Sequence, residues 1–190
     1  MDPPVVYIEK EPFSNMLLAA VDPFKKECFG YVLGRKSRNQ YLVSNIIVVQ
    51  STIRPKEFKE IDHAKRSRER MYRIFELYPN LYPLIGDFHS HTEYGPNPGS
   101  VELSNTDIQG MLDEPEMELA FVIRISSRNR ERLDWISKPD GGLRGSYGDY
   151  VIDVNVYRLL KDKDIFIPES LSIETPAMKM LNRFNGRKKK

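Results

Sequence analysis

Two histidines separated by one residue, His89 and His91, close a short apolar run, Leu84-Ile85-Gly86-Asp87-Phe88. In an extended chain alternate side chains share a face, so both imidazoles point the same way. Two imidazoles on one face at a strand end are two ready ligands for one zinc ion. A Gly/Pro-rich loop follows (Gly95, Pro96, Asn97, Pro98, Gly99), and Ser104-Asn105-Thr106-Asp107 then opens a predicted helix. Ser104 has the character of an N-cap, and Asp107 stands three residues on, at the acid position of a capping box. From that first turn an Asp can return to the strand end and offer the metal an oxygen. Two His and one Asp leave a fourth tetrahedral position for water, which is the arrangement of a catalytic zinc site rather than a closed structural one.

A zinc ion so held lowers the pKa of the water it binds toward ~7 and polarises a carbonyl oxygen. Hydrolysis of a peptide or isopeptide bond also needs a group outside the metal shell. It must take a proton from the water and hand it to the leaving amine, work suited to a carboxylate. A donor that stabilises the tetrahedral oxyanion completes the set.

His89-Ser90-His91 followed by Ser104-x-x-Asp107 resembles the motif of the JAMM (MPN+) metalloproteases. That family also carries a Glu far upstream, near the end of its first helix and just before a Gly-containing apolar strand. Lys26-Glu27-Cys28-Phe29-Gly30-Tyr31-Val32-Leu33-Gly34 fits that place. The resemblance covers residues 5–127 and departs in two ways. Thr92 stands where the family usually has Pro, and the loop at 92–103 is longer than the family's. The resemblance implies His89, His91 and Asp107 as ligands of Zn2+, Glu27 as general acid/base and Ser104 as oxyanion donor. It implies an α/β fold, a mixed curved β-sheet flanked by helices, similar to cytidine deaminases. It also implies a zinc metallopeptidase acting on isopeptide or peptide bonds at the C-terminus of ubiquitin-like proteins or their conjugates. Linear peptides, or a sulfur-carrier precursor ending in Gly-Gly, are further substrates of the same chemistry, and the long loop could act as a substrate lid.

Other readings compete for the same residues. Ser104 can serve as a helix cap and as a catalytic donor at once. Asp87 is either an acceptor behind a ligand imidazole or a solvated strand residue. His63 falls in a predicted helix with no ligand near it in sequence and reads as a surface or packing residue. Cys28 alternates away from Glu27 and reads as packed rather than reactive. His89-Ser90-His91-Thr92 also resembles the first motif of PHP phosphoesterases, but that family needs more ligand histidines than the three His of this chain. A zinc nucleobase deaminase needs a Cys-x-x-Cys, which one Cys cannot supply. The non-enzyme alternative is an MPN-type scaffold for protein assembly. Such relatives typically lose metal ligands, and this chain keeps them.

Composition sets the frame. A chain of 190 residues with 40% hydrophobic and 29% charged residues suits one domain with a core and a soluble surface. The division expected is 1–160 for the JAMM/MPN domain and 161–190 for a C-terminal extension ending in a basic, partly disordered tail. No apolar run nears the ~20 residues of a membrane span, and Met1-Asp2-Pro3-Pro4 carries no secretory pattern. The single Cys28 excludes an internal disulfide and fits a reducing cytoplasm. A net charge of +2 makes no case for nucleic acid, while an oligomer stays open.

The elements that must position these residues follow from periodicity. Residues 5–8 are β-branched and read as a first strand. Phe13, Met16, Leu17, Ala20 and Val21 recur at helical spacing within 12–26, with Ser14 as cap and Pro23 as breaker. Residues 29–33 and 41–50 read as a hairpin around a turn at 34–39. Residues 57–78 have helical character, with a basic face that is either solvated or a dock for an acidic partner. Residues 106–113 form the helix after the loop, 119–125 a buried strand and 132–137 its alternating partner. The four glycines of 140–148 predict a turn or mobile loop. In 150–159, Ile152, Val154 and Val156 share one face and Val151, Asp153 and Asn155 the other, a half-buried strand. Residues 165–167 add a further strand and 175–185 a terminal helix.

Overall fold

The computed structural model describes residues 3–24, 26–49, 73, 83–93, 99–127, 132–163 and 165–187. Apart from Arg73, the helix expected at 57–78 lies outside the described residues, and so do His63, residues 94–98 of the long loop and the basic end at 188–190. The described elements run β1 (Val5–Ile8), α1 (Lys10–Val21), β2 (Phe29–Ser37), β3 (Gln40–Val49), β4 (Leu84–Thr92), α2 (Asn105–Asp113), β5 (Leu119–Ser127), β6 (Ile136–Ser137), β7 (Leu143–Tyr147), β8 (Tyr150–Asp162), β9 (Ile165–Ser170), β10 (Ile173–Glu174) and α3 (Ala177–Arg187). The strands form one sheet in the order β10-β1-β3-β2-β4-β5-β8-β7-β6, with β9 paired to β8. The sheet is mixed. β1 runs parallel to β3 and β10, β4 runs parallel to β5, and the remaining pairs are antiparallel.

Alternation along the strands divides this sheet into two unlike faces. One face is apolar: Phe88, Phe121, Ile123, Ile152, Val154 and Val156 are fully buried. Against it α1 lays Phe13, Met16, Leu17 and Ala20, which share one helical stripe, and α3 adds Ala177 and Leu181. Each large side chain so buried contributes roughly 1.5–3 kcal/mol. The C-terminal stretch thus shares the sheet through β10 and the core through α3. The other face carries the polar residues. Register places His89 beside Val122 and Asn155, and His91 beside Arg124 and Asp153.

The local differences from the sequence expectation have physical causes. α1 starts at Lys10 and ends at Val21, ahead of Pro23. Ser14 is not its cap, because its hydroxyl donates back to the Lys10 carbonyl inside the helix. β4 runs to Thr92, one residue past the histidines expected at its end; parallel pairing with β5 carries the ladder that far. Of the strand expected at 132–137 only Ile136–Ser137 forms. Trp135 is buried instead, its backbone N–H held by the Asn182 side chain and its ring N–H by the Ser146 carbonyl. The glycine-rich 140–148 segment is mostly strand β7 rather than a mobile loop. Gly145 lies there because a Cβ would meet the Trp135 ring at 2.4 Å.

The expectation of a half-buried β8 is corrected as well. Asp153 and Asn155 are 2% and 1% exposed. The polar side of β8 is roofed by its own partners. Asp153 Oδ2 accepts from Arg124 Nε and Nη2 at 3.1 and 2.6 Å, with Arg144 and Lys138 at 3.6 and 3.9 Å. Removing a carboxylate buried among three cations strands Arg124. Asp153→Ala should therefore lower the unfolding free energy by about 3 kcal/mol, the low end for a broken buried pair because Arg124 keeps some access to water. Urea unfolding reads this directly, and a loss below about 0.5 kcal/mol would show the pair to be a surface bridge.

Candidate metal centre

β4 supplies the imidazoles and the turn that opens α2 supplies the carboxylate. His89, His91 and Asp107 each offer one donor atom, and these atoms all lie within 4.8 Å of one another. His89 Nε2 is 3.2 Å from His91 Nε2 and 3.4 Å from Asp107 Oδ1; His91 Nε2 is 3.9 Å from Asp107 Oδ2. Zinc bound tetrahedrally at its usual nitrogen and oxygen distances has ligand–ligand edges of about 3.3 Å. The two separations from His89 Nε2, to His91 Nε2 and to Asp107 Oδ1, match that edge, while the His91 approach to the carboxylate is to its other oxygen. The donor set, two imidazoles and a carboxylate, suits zinc. All three side chains are half-buried, with 14–19% of their surface exposed, so the centre is sheltered yet reachable.

The spacing of the sequence motif explains how Asp107 gets there. Ser104 is the N-cap of α2 in extended backbone, and its hydroxyl accepts from Asp107 N–H at 3.2 Å. Asp107 Oδ2 returns to Ser104 N–H at 2.7 Å, which completes the capping box. One carboxylate oxygen is thus spent on the helix start, while Oδ1 faces His89. Ser104 uses a lone pair in the cap, so its O–H remains free to donate.

The loop entering α2 is anchored on the same face. His91 Nδ1 lies 3.0 Å from the Ser100 carbonyl, which can only accept. Nδ1 therefore carries the proton and Nε2 is bare, the tautomer a metal needs. Gly99 adopts φ +75° with its Cα turned against the His91 carbonyl, where a Cβ would stand 3.1 Å away. Tyr157 holds the chain two residues on, its hydroxyl donating to the Val101 carbonyl at 2.9 Å, and Asn155 donates to Tyr157 in turn. Neither Ser100 nor Tyr157 is visible as a site residue in the sequence. Ser100 acts through its carbonyl, which every residue has, and Tyr157 is 56 residues past Val101 with only sheet register to bring it near.

Protonation follows from this geometry. His91 Nε2 is an acceptor, so the proton between the two rings sits on His89 Nε2. The His89 Nδ1 faces the buried Asp87 Oδ1 at 3.9 Å. Burial opposes a charged ring, yet hydrogen bonds and charges from Asp107 and Asp87 outweigh it and push His89 up to about 9. Burial also works to lift the Asp107 carboxyl, but His89 and the Ser104 donors hold it well below the usual carboxylate range. Burial pushes Asp87 up, against the pull of His89. In the metal-free protein a proton thus stands where a metal would. The folded pKa of His89 exceeds its free value of 6.5. Its proton therefore stabilises the metal-free fold fully below about 6.5, and that contribution is lost as pH rises through about 9. A metal must displace this proton, so zinc affinity should rise about tenfold per pH unit up to about 9. Calorimetry in buffers of differing ionisation enthalpy should register about one proton released per zinc at neutral pH. Zinc uptake with no proton release would contradict a protonated His89 in the metal-free protein.

Glu27 is outside the three-donor cluster. It is exposed and precedes β2, which pairs antiparallel with β4 through Phe29 and His89. That register continues, because Ser90 N–H donates to the Cys28 carbonyl at 3.1 Å. Carried one residue further, the same register would bring Glu27 opposite His91, on the face of the imidazoles. Glu9 and Glu11, at the start of α1, do not share that register. Cys28 is buried, and burial pushes its thiol up, which fits a packed residue rather than a nucleophile. Among the described residues no helix is long and apolar enough to cross a membrane.

A model of prokaryotic homologs of the JAB domain matches residues 10–135, the span from α1 to Trp135 that holds Glu27, His89, His91, Ser104 and Asp107. The solution structure of protein DSY2949 from Desulfitobacterium hafniense is similar in fold, at a TM-score of 0.50 and 15% identity, over 90% of this chain and 92% of that one. No curated protein matches the chain in sequence.

Proposed function

We infer the function of this chain from the family it belongs to, the prokaryotic homologs of the JAB domain, together with its metal centre: it is a zinc metallopeptidase. Its substrates on this reading are isopeptide or peptide bonds at the C-terminus of ubiquitin-like proteins or their conjugates, and it works in the reducing cytoplasm. The substrate class rests on the family resemblance, since folds host many functions. The same resemblance carries the kinship of the sheet with cytidine deaminases. The observation that supports catalysis best is the convergence of two bare-able imidazole nitrogens and one carboxylate oxygen at zinc spacing.

His89 Nε2, His91 Nε2 and Asp107 Oδ1 would hold the ion. Zinc there supplies a polarised carbonyl and water made acidic enough to react at neutral pH. The chain's own groups supply the rest. Glu27, on the segment that leads into β2, takes the proton of the attacking water and delivers it to the leaving amine. Ser104 donates its free O–H to the oxyanion while its lone pair keeps the helix capped. Asp87 steadies His89 from behind, and the Ser100 carbonyl does the same for His91.

A scaffold without catalysis is the alternative from another class. Metal analysis of the purified protein separates the two. One zinc per chain, with cleavage of a ubiquitin-like protein amide that chelators abolish and zinc restores, supports the enzyme. A metal-free protein that stays inactive with added zinc supports the scaffold.

A further inference from the structure

Ser90 stands between the two histidines of β4, and alternation turns it to the opposite face, where it is fully buried. Its hydroxyl accepts from Cys28 N–H at 2.8 Å, and its own N–H donates to the Cys28 carbonyl at 3.1 Å. In a regular antiparallel ladder two facing residues exchange a pair of N–H···O=C bonds. Here one carbonyl of the pair is replaced by a side-chain hydroxyl, so the closing rung between β4 and the segment before β2 depends on the identity of residue 90. Any residue supports a backbone rung; only one with a short acceptor side chain supports this one. The rung lies one residue from Glu27 and between the two imidazoles. It ties the segment that carries the acid/base candidate to the strand that carries the metal ligands.

We propose that Ser90 is a positioning residue: through its hydroxyl's bond to Cys28 N–H it fixes the distance of Glu27 from the metal centre without touching metal or substrate. This rests on the metallopeptidase reading for its effect on rate, but not for its effect on structure. Loss of the hydroxyl leaves the Cys28 N–H buried without an acceptor. The chain before β2 must then shift to find one, and Glu27 moves with it. The imidazoles, held by β4's pairing with β5 and by Ser100 and Asp87, stay in place.

Zinc-loaded Ser90→Ala is therefore expected to lose about tenfold or more in kcat on a ubiquitin-like protein amide, since small misplacements of a catalytic group weigh heavily. KM and zinc affinity should stay within about threefold of the parent, and amide exchange at Cys28 should quicken about tenfold or more. Ser90→Thr, which keeps the hydroxyl, should recover kcat. If Ser90→Ala does not fold, Ser90→Cys, with a weak acceptor of similar size, is read in its place and should show the same split. Unchanged kcat with unchanged Cys28 exchange overturns the proposal, as does a loss of zinc affinity in step with kcat. A parent protein that cleaves nothing overturns the metallopeptidase reading instead, and Cys28 exchange in the variant then decides the clamp alone.

Discussion

Replacing Glu27 by Gln is expected to lower kcat by about 10²–10⁴-fold, the range for loss of a general acid/base, while one zinc per chain is retained. Gln has the shape of Glu but cannot accept a proton. Glu27 is outside the cluster of donor atoms formed by His89, His91 and Asp107, so the ion has no need of it. It lies at an exposed chain segment just before β2, so the fold does not depend on its charge. A variant with full zinc and a rate within about threefold of the parent would remove Glu27 from the mechanism. Loss of zinc in the same variant would make it a ligand rather than a base. The measurement is steady-state cleavage together with metal analysis on the same preparation.

Asp107→Asn is expected to weaken zinc binding by more than about 100-fold, beyond what the loss of a group behind a ligand produces, and activity should fall with it. This substitution separates two duties of one side chain. An amide oxygen can still accept from Ser104 N–H, and Asp107's own N–H still reaches the Ser104 hydroxyl, so α2 keeps its capping box. What goes is the charge that Oδ1 presents to His89 at 3.4 Å. The pKa of His89, held near 9 mainly against burial by Asp107 and Asp87, should fall toward its ordinary range. Thermal stability of the metal-free variant should stay close to the parent's at alkaline pH, where His89 is neutral in both. A variant that binds zinc as the parent does would mean that the carboxylate is a helix cap and nothing more.

The sequence by itself determined which side chains can meet. The alternation of His89-Ser90-His91 and the three-residue step from Ser104 to Asp107 are local rules of strand and helix geometry. They hold wherever the segments are placed. The apolar stripe of α1 and the β-branched strands were legible for the same reason, because burial follows from periodicity alone. Tertiary structure decided what periodicity does not encode. Asp153 and Asn155 alternate as if facing water, but long-range partners, Arg124, Lys138 and Asp140, cover them. Glycines 142 and 145 look like a loop, yet they are small because Asn155 and Trp135 press against them. The proton state of His89 and the setting of the His91 ring depend on Asp87, Asp107 and Ser100. The first is two residues away, but the others join only when the loop folds back over the sheet. That convergence is a property of register and loop closure, and neither is written in any single stretch of the chain.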